Sequence, residues 1–457
     1  MKLRTMIAII ACKMTRFILR VTGHGGTNLP GKVAVKLYPT LLNQLAQHVT
    51  TIIVTGTNGK TTTSRMVEQC LKDANLSYFA NKSGANLLTG ITAEFAVHAT
   101  NTGKSKYTHA LIECDEAAFK QVSRYVDAKF VVVTNVFRDQ LDRYGELSTT
   151  LTSIGIGIDH SPSAIVCLNA DDSLSVSLAG RIKNKIIYYG VDTEIYQDRV
   201  EEVSDAPYCI QCGHEYTYDY VTYGHLGSYR CEACGYSRPQ PEVAVTQLLQ
   251  TTPDSSLVEM KLGTQKYQIK INLPGGYNIY NAAACAAVGS ALGLSPELVV
   301  KALGHFGGGF GRMEKFTIEG VDIRMILIKN PAGCNQVLNF LSNNEIPSLF
   351  VVALNDKTAD GTDISWIWDV DFEKLIAGSR RITEVIVTGI RADDMALRFK
   401  YTGIQPQKLR IIKDYDQLLQ EMLEQEAPVY IMPTYTAMLD LRAKISKNYG
   451  FKEFWES

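Results

Sequence analysis

Short, unbroken runs of β-branched and other apolar residues recur along this chain, and stretches with helical spacing separate them. Thr51-Ile52-Ile53-Val54, Ala110-Leu111-Ile112 and Phe130-Val131-Val132-Val133 are the first such runs. Runs of this length without polar alternation suit strands buried on both faces of a parallel sheet. Phe350–Leu354, Glu384–Thr388 and Val429–Met432 repeat the pattern near the C-terminus, predicting a second, smaller sheet with helical crossovers. The expected fold class is α/β. The chain divides into an N-terminal helical segment (1–48), a large α/β domain (49–316) on a parallel-type sheet, and a smaller C-terminal α/β domain (317–457).

The N-terminal pattern differs. Met6-Ile7-Ala8-Ile9-Ile10-Ala11-Cys12 is apolar and flanked by Lys2, Arg4, Lys13, Arg16 and Arg20, which superficially suggests a signal peptide. The basic residues continue past the apolar run and no small-residue cleavage site follows cleanly, so a basic amphipathic helix is expected. It would pack on the next domain or touch an anionic membrane face. Gly23–Gly31 reads as a flexible loop with His24 exposed. No apolar run is long enough to span a bilayer.

A formal net charge of -1 over 457 residues gives no electrostatic case for a nucleic-acid partner. The ten cysteines are scattered except for one cluster, which points to a reducing compartment plus a metal. The expected location is cytoplasmic, with the inner face of the plasma membrane as the surface such a helix would meet.

The first apolar run ends in Thr55-Gly56-Thr57-Asn58-Gly59-Lys60-Thr61-Thr62-Thr63. Strand, glycine turn and helix start in that order make a phosphate cradle, because glycines admit backbone N–H groups to phosphate oxygens and the helix end adds positive potential. Lys60 would reach the β- and γ-phosphates and Thr61 would hold Mg²⁺. A purely structural turn does not explain why Lys-Thr-Thr follows. Val54 stands where the common phosphate loop has its first glycine. Catalytic groups of parallel sheets lie at strand C-terminal ends, which here carry Glu113-Cys114-Asp115-Glu116 and Thr134-Asn135. Glu113 is the first candidate Mg²⁺ ligand; Asp115 and Glu116 are read either as further ligands or as solvated helix-start residues.

Thr55–Thr61 has the form found in Mur ligases and folylpolyglutamate synthetases. Thr134-Asn135-Val136-Phe137-Arg138-Asp139-Gln140-Leu141-Asp142 resembles the Mur ligase T-N-x-x-x-D-H-L-D segment. Leu168-Asn169-Ala170-Asp171-Asp172, Gly276-Tyr277-Asn278-Ile279-Tyr280-Asn281-Ala282 and Gly311-Arg312-Met313-Glu314 are similar to that family's later motifs, in order. The resemblance implies a Mur-type ATP-binding domain in which Gly56, Thr57, Asn58, Gly59, Lys60, Thr61 and Thr62 hold phosphates. Asn278 and Asn281 then serve the adenine and ribose side, and Arg312 approaches the phosphates. Gln140 replaces a histidine that helps hold a second Mg²⁺, and Tyr277 replaces the histidine before Asn278.

Cys209, Cys212, Cys231 and Cys234 form C-x2-C-x18-C-x2-C, the spacing of a zinc ribbon with two knuckles. Gly213 and Gly235 follow each second cysteine, and the residues between suit a β-hairpin. A four-thiolate site is closed and therefore structural, so His214 and His225 are not needed as ligands. The ribbon, residues 205–238, is expected as an insertion serving stability or partner contact. Cys12, Cys70, Cys114, Cys167, Cys285 and Cys334 read as ordinary packing or surface residues.

In the C-terminal domain, Lys329-Asn330-Pro331 stands where Mur ligases carry D-Y-A-H-N-P, with the Asp, Tyr and His lost. Leu354-Asn355-Asp356-Lys357-Thr358-Ala359-Asp360-Gly361-Thr362-Asp363 offers carboxylates after a strand, followed by Trp366 and Trp368. Ile367 falls where an EF-hand needs a bidentate Glu, so a calcium loop is not expected. With these features the whole chain resembles the ligase-like subunits of bacterial lipid II isoglutaminyl synthases. That resemblance implies ATP-dependent amidation of a D-glutamate α-carboxylate in lipid II, through an acyl phosphate. Lys60, Glu113 and Asp356 would be catalytic, with ATP, Mg²⁺ and Zn²⁺ as cofactors. Ammonia would come from a GatD-type glutaminase in a heterodimer, where Asp356, ahead of Asp360 and Asp363, would complete the partner's triad. A stand-alone amino-acid ligase and a non-catalytic nucleotide-binding zinc scaffold are the alternatives.

Overall fold

The computed structural model of the chain describes residues 2–22, 28–81, 85–139, 147–195, 204–252, 254–307, 312–342, 346–377 and 382–451. Three helices come first: α1 (Lys2–Val21), α2 (Asn28–Leu37) and α3 (Leu41–Ala46). Strand and helix then alternate through β1 (Thr50–Thr55), α4 (Lys60–Asp73), β2 (Tyr78–Ala80), α5 (Leu88–His98), β3 (His109–Glu113), α6 (Glu116–Val122) and β4 (Phe130–Val133). They continue through α7 (Leu147–Asp159), β5 (Ile165–Asn169), α8 (Ser173–Ser177) and β6 (Lys185–Val191). A hairpin of β7 (Thr217–Tyr223) and β8 (Leu226–Arg230) precedes β9 (Val243–Thr251), β10 (Ser256–Leu262) and β11 (Gln265–Ile271). Helices α9 (Gly276–Ala291) and α10 (Pro296–His305) follow.

The strand order is β11-β10-β9-β6-β5-β4-β1-β3-β2. Strands β1 to β6 pair in parallel, β9 joins β6 in parallel, and β10 and β11 extend the edge antiparallel. The chain builds outward from β1 to one side and then the other, so the C-terminal end of β1 is the point where the winding reverses. In open sheets that crevice takes the ligand. The pleat explains the unbroken apolar runs: Ile53, Ala110, Ile112, Val131 and Val133 face one core, Ile52, Val54, Leu111 and Val132 the other.

A second sheet is formed by β12 (Arg312–Ile318), β13 (Val321–Ile326), β14 (Ser348–Ala353), β15 (Ile382–Thr388), β16 (Leu409–Ile411) and β17 (Val429–Pro433), in the order β12-β13-β17-β14-β15-β16. Helices α11 (Pro331–Ser342), α12 (Phe372–Ala377), α13 (Ala392–Tyr401), α14 (Tyr415–Leu423) and α15 (Tyr435–Tyr449) connect it. Three of its strands were expected. Strand β13 was not, because Asp322 and Arg324 alternate with its apolar residues.

One other expectation changes. Asn28–Gly31 is the first turn of α2 rather than loop, because α2 packs on α5 with Gly31 against the Thr89 carbonyl, where a Cβ would lie 1.7 Å from the oxygen. His24 lies outside the described residues. His225, not needed as a zinc ligand, is fully buried, with Nε2 3.1 Å from Asp172 Oδ1.

Asp172 also accepts from Val136 N–H (2.8 Å), Leu174 N–H (3.0 Å) and Ser175 Oγ–H (2.5 Å). Its neighbour Asp171 accepts from Arg238, Tyr280 and the Val191 N–H. The pair ties the hairpin, α9 and the loop after β4 to the sheet. Asp172→Ala leaves these buried donors unmet, and urea unfolding should show a loss of about 3 kcal/mol or more. A loss below about 1 kcal/mol would deny Asp172 this role.

Candidate functional site

Between β1 and α4 the chain turns through Gly56 and Gly59, at φ 117° and 83°. Any side chain at Gly59 would meet Asn281 Oδ1 at 2.1 Å, so the turn needs glycine both for its conformation and for this approach. The Thr-Asn pair after β4 grips the turn. Thr57 N–H donates to the Asn135 carbonyl (2.9 Å), Asn58 N–H to Asn135 Oδ1 (2.9 Å), and Asn135 Nδ2 to the Asn58 carbonyl (3.1 Å). The cradle is thus fixed by protein bonds in a form that suits a phosphate chain.

Lys60 opens α4 with its ammonium buried. It donates to the Gly56 and Thr57 carbonyls and pairs with Glu116 Oε2 at 2.8 Å. Burial works to lower the Lys60 pKa, but Glu116 and Asp115 outweigh it and hold it above the ordinary value. The sequence left Asp115 and Glu116 between metal ligand and solvated helix start. Both are buried; Asp115 caps α6 through Ala117 and Ala118 N–H, and Glu116 is the lysine's partner. Glu113 lies level with Val54 in the β1–β3 register, on the strand beside the loop. Thr61 is half-buried. The oxygens of Thr61, Glu113 and Glu116 are the donor type that a hard divalent cation takes.

Asn281 Oδ1 accepts from Thr63 Oγ1 (3.2 Å), its Nδ2 donates to Asn278 Oδ1 (3.0 Å), and Asn278 Nδ2 donates to the Pro274 carbonyl (2.7 Å). This puts Asn281 against the phosphate loop itself. Gln140 and the Arg312 side chain lie outside the described residues.

The segment before α11 completes the site from the second sheet. Lys329 Nζ is 2.6 Å from Asp139 Oδ2, and Asn330 Nδ2 donates to Asn58 Oδ1 (3.1 Å) and Asp139 Oδ1 (3.3 Å). Sequence reading missed this latch. Asp139 stands in a quoted motif and Lys329 in a noted departure, but nothing local links residues 190 apart.

Of the carboxylates after β14, Asp360 is taken up by the Thr436 N–H and Oγ1 (2.7 and 2.5 Å), and Asp363 caps the Ser365 N–H (2.8 Å). Asp356 is partly exposed, held through Oδ2 by Arg391 Nε at 2.7 Å. Trp366 packs partly buried on the second sheet's core, while Trp368 is exposed, edge-on to Tyr401.

The Sγ atoms of Cys209, Cys212, Cys231 and Cys234 all lie within 4.8 Å of one another. The Cys209–Cys234 and Cys212–Cys231 separations are 3.6 and 3.4 Å. A tetrahedral zinc with bonds of about 2.3 Å needs thiolates about 3.8 Å apart, so the donor set fits. Both knuckles turn through glycine at φ 77°, and Tyr216 and Tyr229 pack behind them. The other six cysteines are buried.

A family model for the Mur ligase middle domain matches residues 54–229, which defines the class: the loop and its sheet are those of a Mur ligase. The fold agrees. A pseudomurein peptide ligase type C from Methanothermus fervidus superposes with TM-score 0.65 at 20% identity, over 87% of this chain and 78% of that one. Mycobacterium tuberculosis folylpolyglutamate synthase does so with TM-score 0.61 at 14% identity, over 98% and 96%. A second family model, for the MurT ligase C-terminal domain, matches residues 327–438. The lipid II isoglutaminyl synthase (glutamine-hydrolyzing) subunit MurT of Streptococcus pneumoniae is 36% identical over 97% of both chains. Its Staphylococcus aureus counterpart (strain COL) is 33% identical over 98% of this chain and 99% of that one. The chain belongs to the MurT family.

The latch is open to test by unfolding. Lys329→Met strands Asp139 in a buried place, and should lower stability by about 2 kcal/mol, less than for an enclosed pair because Lys329 is 33% exposed. Adding Asp139→Asn should recover part of that loss; strictly additive costs in urea melts would show that the two residues do not act as a pair.

Proposed function

We propose that this chain is the ligase subunit of a two-subunit amidotransferase that converts the D-glutamate of lipid II to D-isoglutamine. The carrying observation is the full-length likeness to MurT subunits, joined to an intact phosphate loop. The α-carboxylate attacks the γ-phosphate of ATP, ADP leaves, and an acyl phosphate forms. Ammonia then attacks the acyl carbon, the C–O bond electrons depart with phosphate, and the nitrogen gives up a proton. Gly56–Thr62 hold the phosphates, and Lys60 offsets charge on the transferred group. Asn278 and Asn281, from the first sheet's domain, and Arg312, at the start of β12, complete the nucleotide site. Mg²⁺, held by Thr61 and Glu113, would supply further neutralisation of phosphate charge.

Ammonia is mostly ammonium near neutral pH, so a GatD-type glutaminase delivers it. Asp356, directly after β14, is partly exposed; Arg391 fixes one of its oxygens and the other is available to orient a histidine of the partner. Exposed Ile390, next to Arg391, borders this edge and gives the partner an apolar contact. The reaction is placed in the cytoplasm, at the inner face of the plasma membrane where the lipid-linked substrate resides.

Purified chain with ATP, lipid II and ammonium chloride should amidate without a partner. No turnover with ammonia, or turnover with an amino acid instead, would sink this reading in favour of the scaffold or the stand-alone ligase. In the complex, Asp356→Asn should cut glutamine-driven activity on the order of 100-fold or more while ammonia-driven activity changes by less than about twofold. Equal losses would remove Asp356 from the glutaminase triad.

Zinc fills the four-cysteine site in this reading and holds the ribbon folded. Elemental analysis should find stoichiometric zinc, and Cys231→Ser should lose it with a Tm drop of about 5 °C or more. Metal-free protein with an unchanged Tm would refute the site.

A further inference from the structure

Helix α1 has two apolar faces, and the molecule uses one. Thr5, Ala8, Ile9 and Cys12 are fully buried. Arg16 pairs with Glu94 (3.2 Å), Lys13 Nζ donates to the Ala99 carbonyl (2.7 Å), and Thr5 Oγ1 donates to Gln44 (2.7 Å). These contacts fix the rotation of the helix. The opposite face carries Leu3, Ile7, Met14, Phe17, Ile18 and Val21, each 47–71% exposed. At 3.6 residues per turn, the six fall within an arc of about 100°, a continuous stripe along the helix.

The charges on α1 and α2 have one sign. The first 50 residues hold four lysines and three arginines and no Asp or Glu, in a chain whose formal net charge is -1. Arg4 and Arg20 are exposed and stand about 100° to either side of the stripe on the helical wheel. Lys32 and Lys36 are exposed on α2, which packs against α1. Among the described residues, no helix is long and apolar enough to cross a membrane.

We propose that this face of α1 docks on the surface of an anionic lipid bilayer, lying in its plane. The stripe enters the acyl boundary, while the flanking arginines and the α2 lysines meet lipid phosphates. A protein groove would accept the stripe equally well; the acid-free basic border is what favours anionic lipid. The inference stands on this geometry and does not depend on the proposed reaction, though a lipid-linked substrate would give it a purpose.

Vesicle sedimentation of the full-length chain, without substrate or nucleotide, tests it. The chain should bind phosphatidylcholine vesicles containing phosphatidylglycerol at least about tenfold more tightly than phosphatidylcholine alone. Phe17→Ser with Ile18→Ser should weaken that binding by about tenfold or more, and Arg4→Glu with Arg20→Glu should remove the preference for the anionic lipid. Both pairs are exposed, so Tm and ATP binding should not change. No binding to either vesicle, or equal binding by the wild type and the Phe17/Ile18 variant, overturns the proposal. So does a concentration-dependent dimer that the Phe17/Ile18 variant abolishes, which would assign the face to a second copy of the chain. Failure of amidation with vesicle binding intact would fall on the proposed reaction alone.

Discussion

A carboxylate shut away from water must be met by a cation or by several hydrogen-bond donors, or it costs several kcal/mol. The pieces of this chain are joined where that demand is satisfied. Glu94 draws α1 onto α5 through Arg16, and Glu116 holds Lys60 across the phosphate loop. Asp139 receives Lys329 from the second sheet, Asp171 receives Arg238 and Tyr280, and Asp172 receives His225 from the hairpin. Burial alone would raise the Glu94 and Asp139 carboxyls, yet their partners hold both below the ordinary range. Each junction therefore tolerates little substitution on either side, because either loss leaves a charge or donor stranded.

These junctions are also what the sequence concealed. Patterns with a local cause were legible: strand runs from the pleat, the turn after β1 from its glycines, the cluster of four thiols from cysteine spacing. The ordered Mur motifs carried the family and its architecture. Glu116, by contrast, reads locally as one acid among three, and only the register of β1 and β3 sets it opposite Lys60. His225 sits between the cysteine knuckles, and nothing local in the sequence reveals that its ring is buried against Asp172 and Phe137. The N-terminal helix was legible as amphipathic, but which face stays outside depends on Arg16 finding Glu94.

The two sheets share a functional logic. Both place charged side chains at the C-terminal ends of parallel strands, Lys60 after β1 and Asp356 after β14. The helix-opening segment after β13 spans between them, since Asn330 reaches Asn58 in the phosphate loop. The loop geometry is consequently sensed by the second sheet directly, through amide contacts and the Lys329–Asp139 pair.

The altered segment at Lys329 also fits the identity of the incoming group. Mur ligases that join an amino acid must position its amine and recognise its carboxylate or side chain, and the Asp, Tyr and His of D-Y-A-H-N-P resemble parts for that task. Ammonia, the acceptor in the proposed reaction, has neither carboxylate nor side chain. A site for it needs a dry approach to the acyl carbon rather than a recognition surface, so those positions are free to serve another end. Here the position before Asn330 holds a lysine committed to Asp139, which joins the two sheets at this point. The substitution that breaks the family pattern is thus consistent with a ligase whose nucleophile is delivered by another subunit and recognised there.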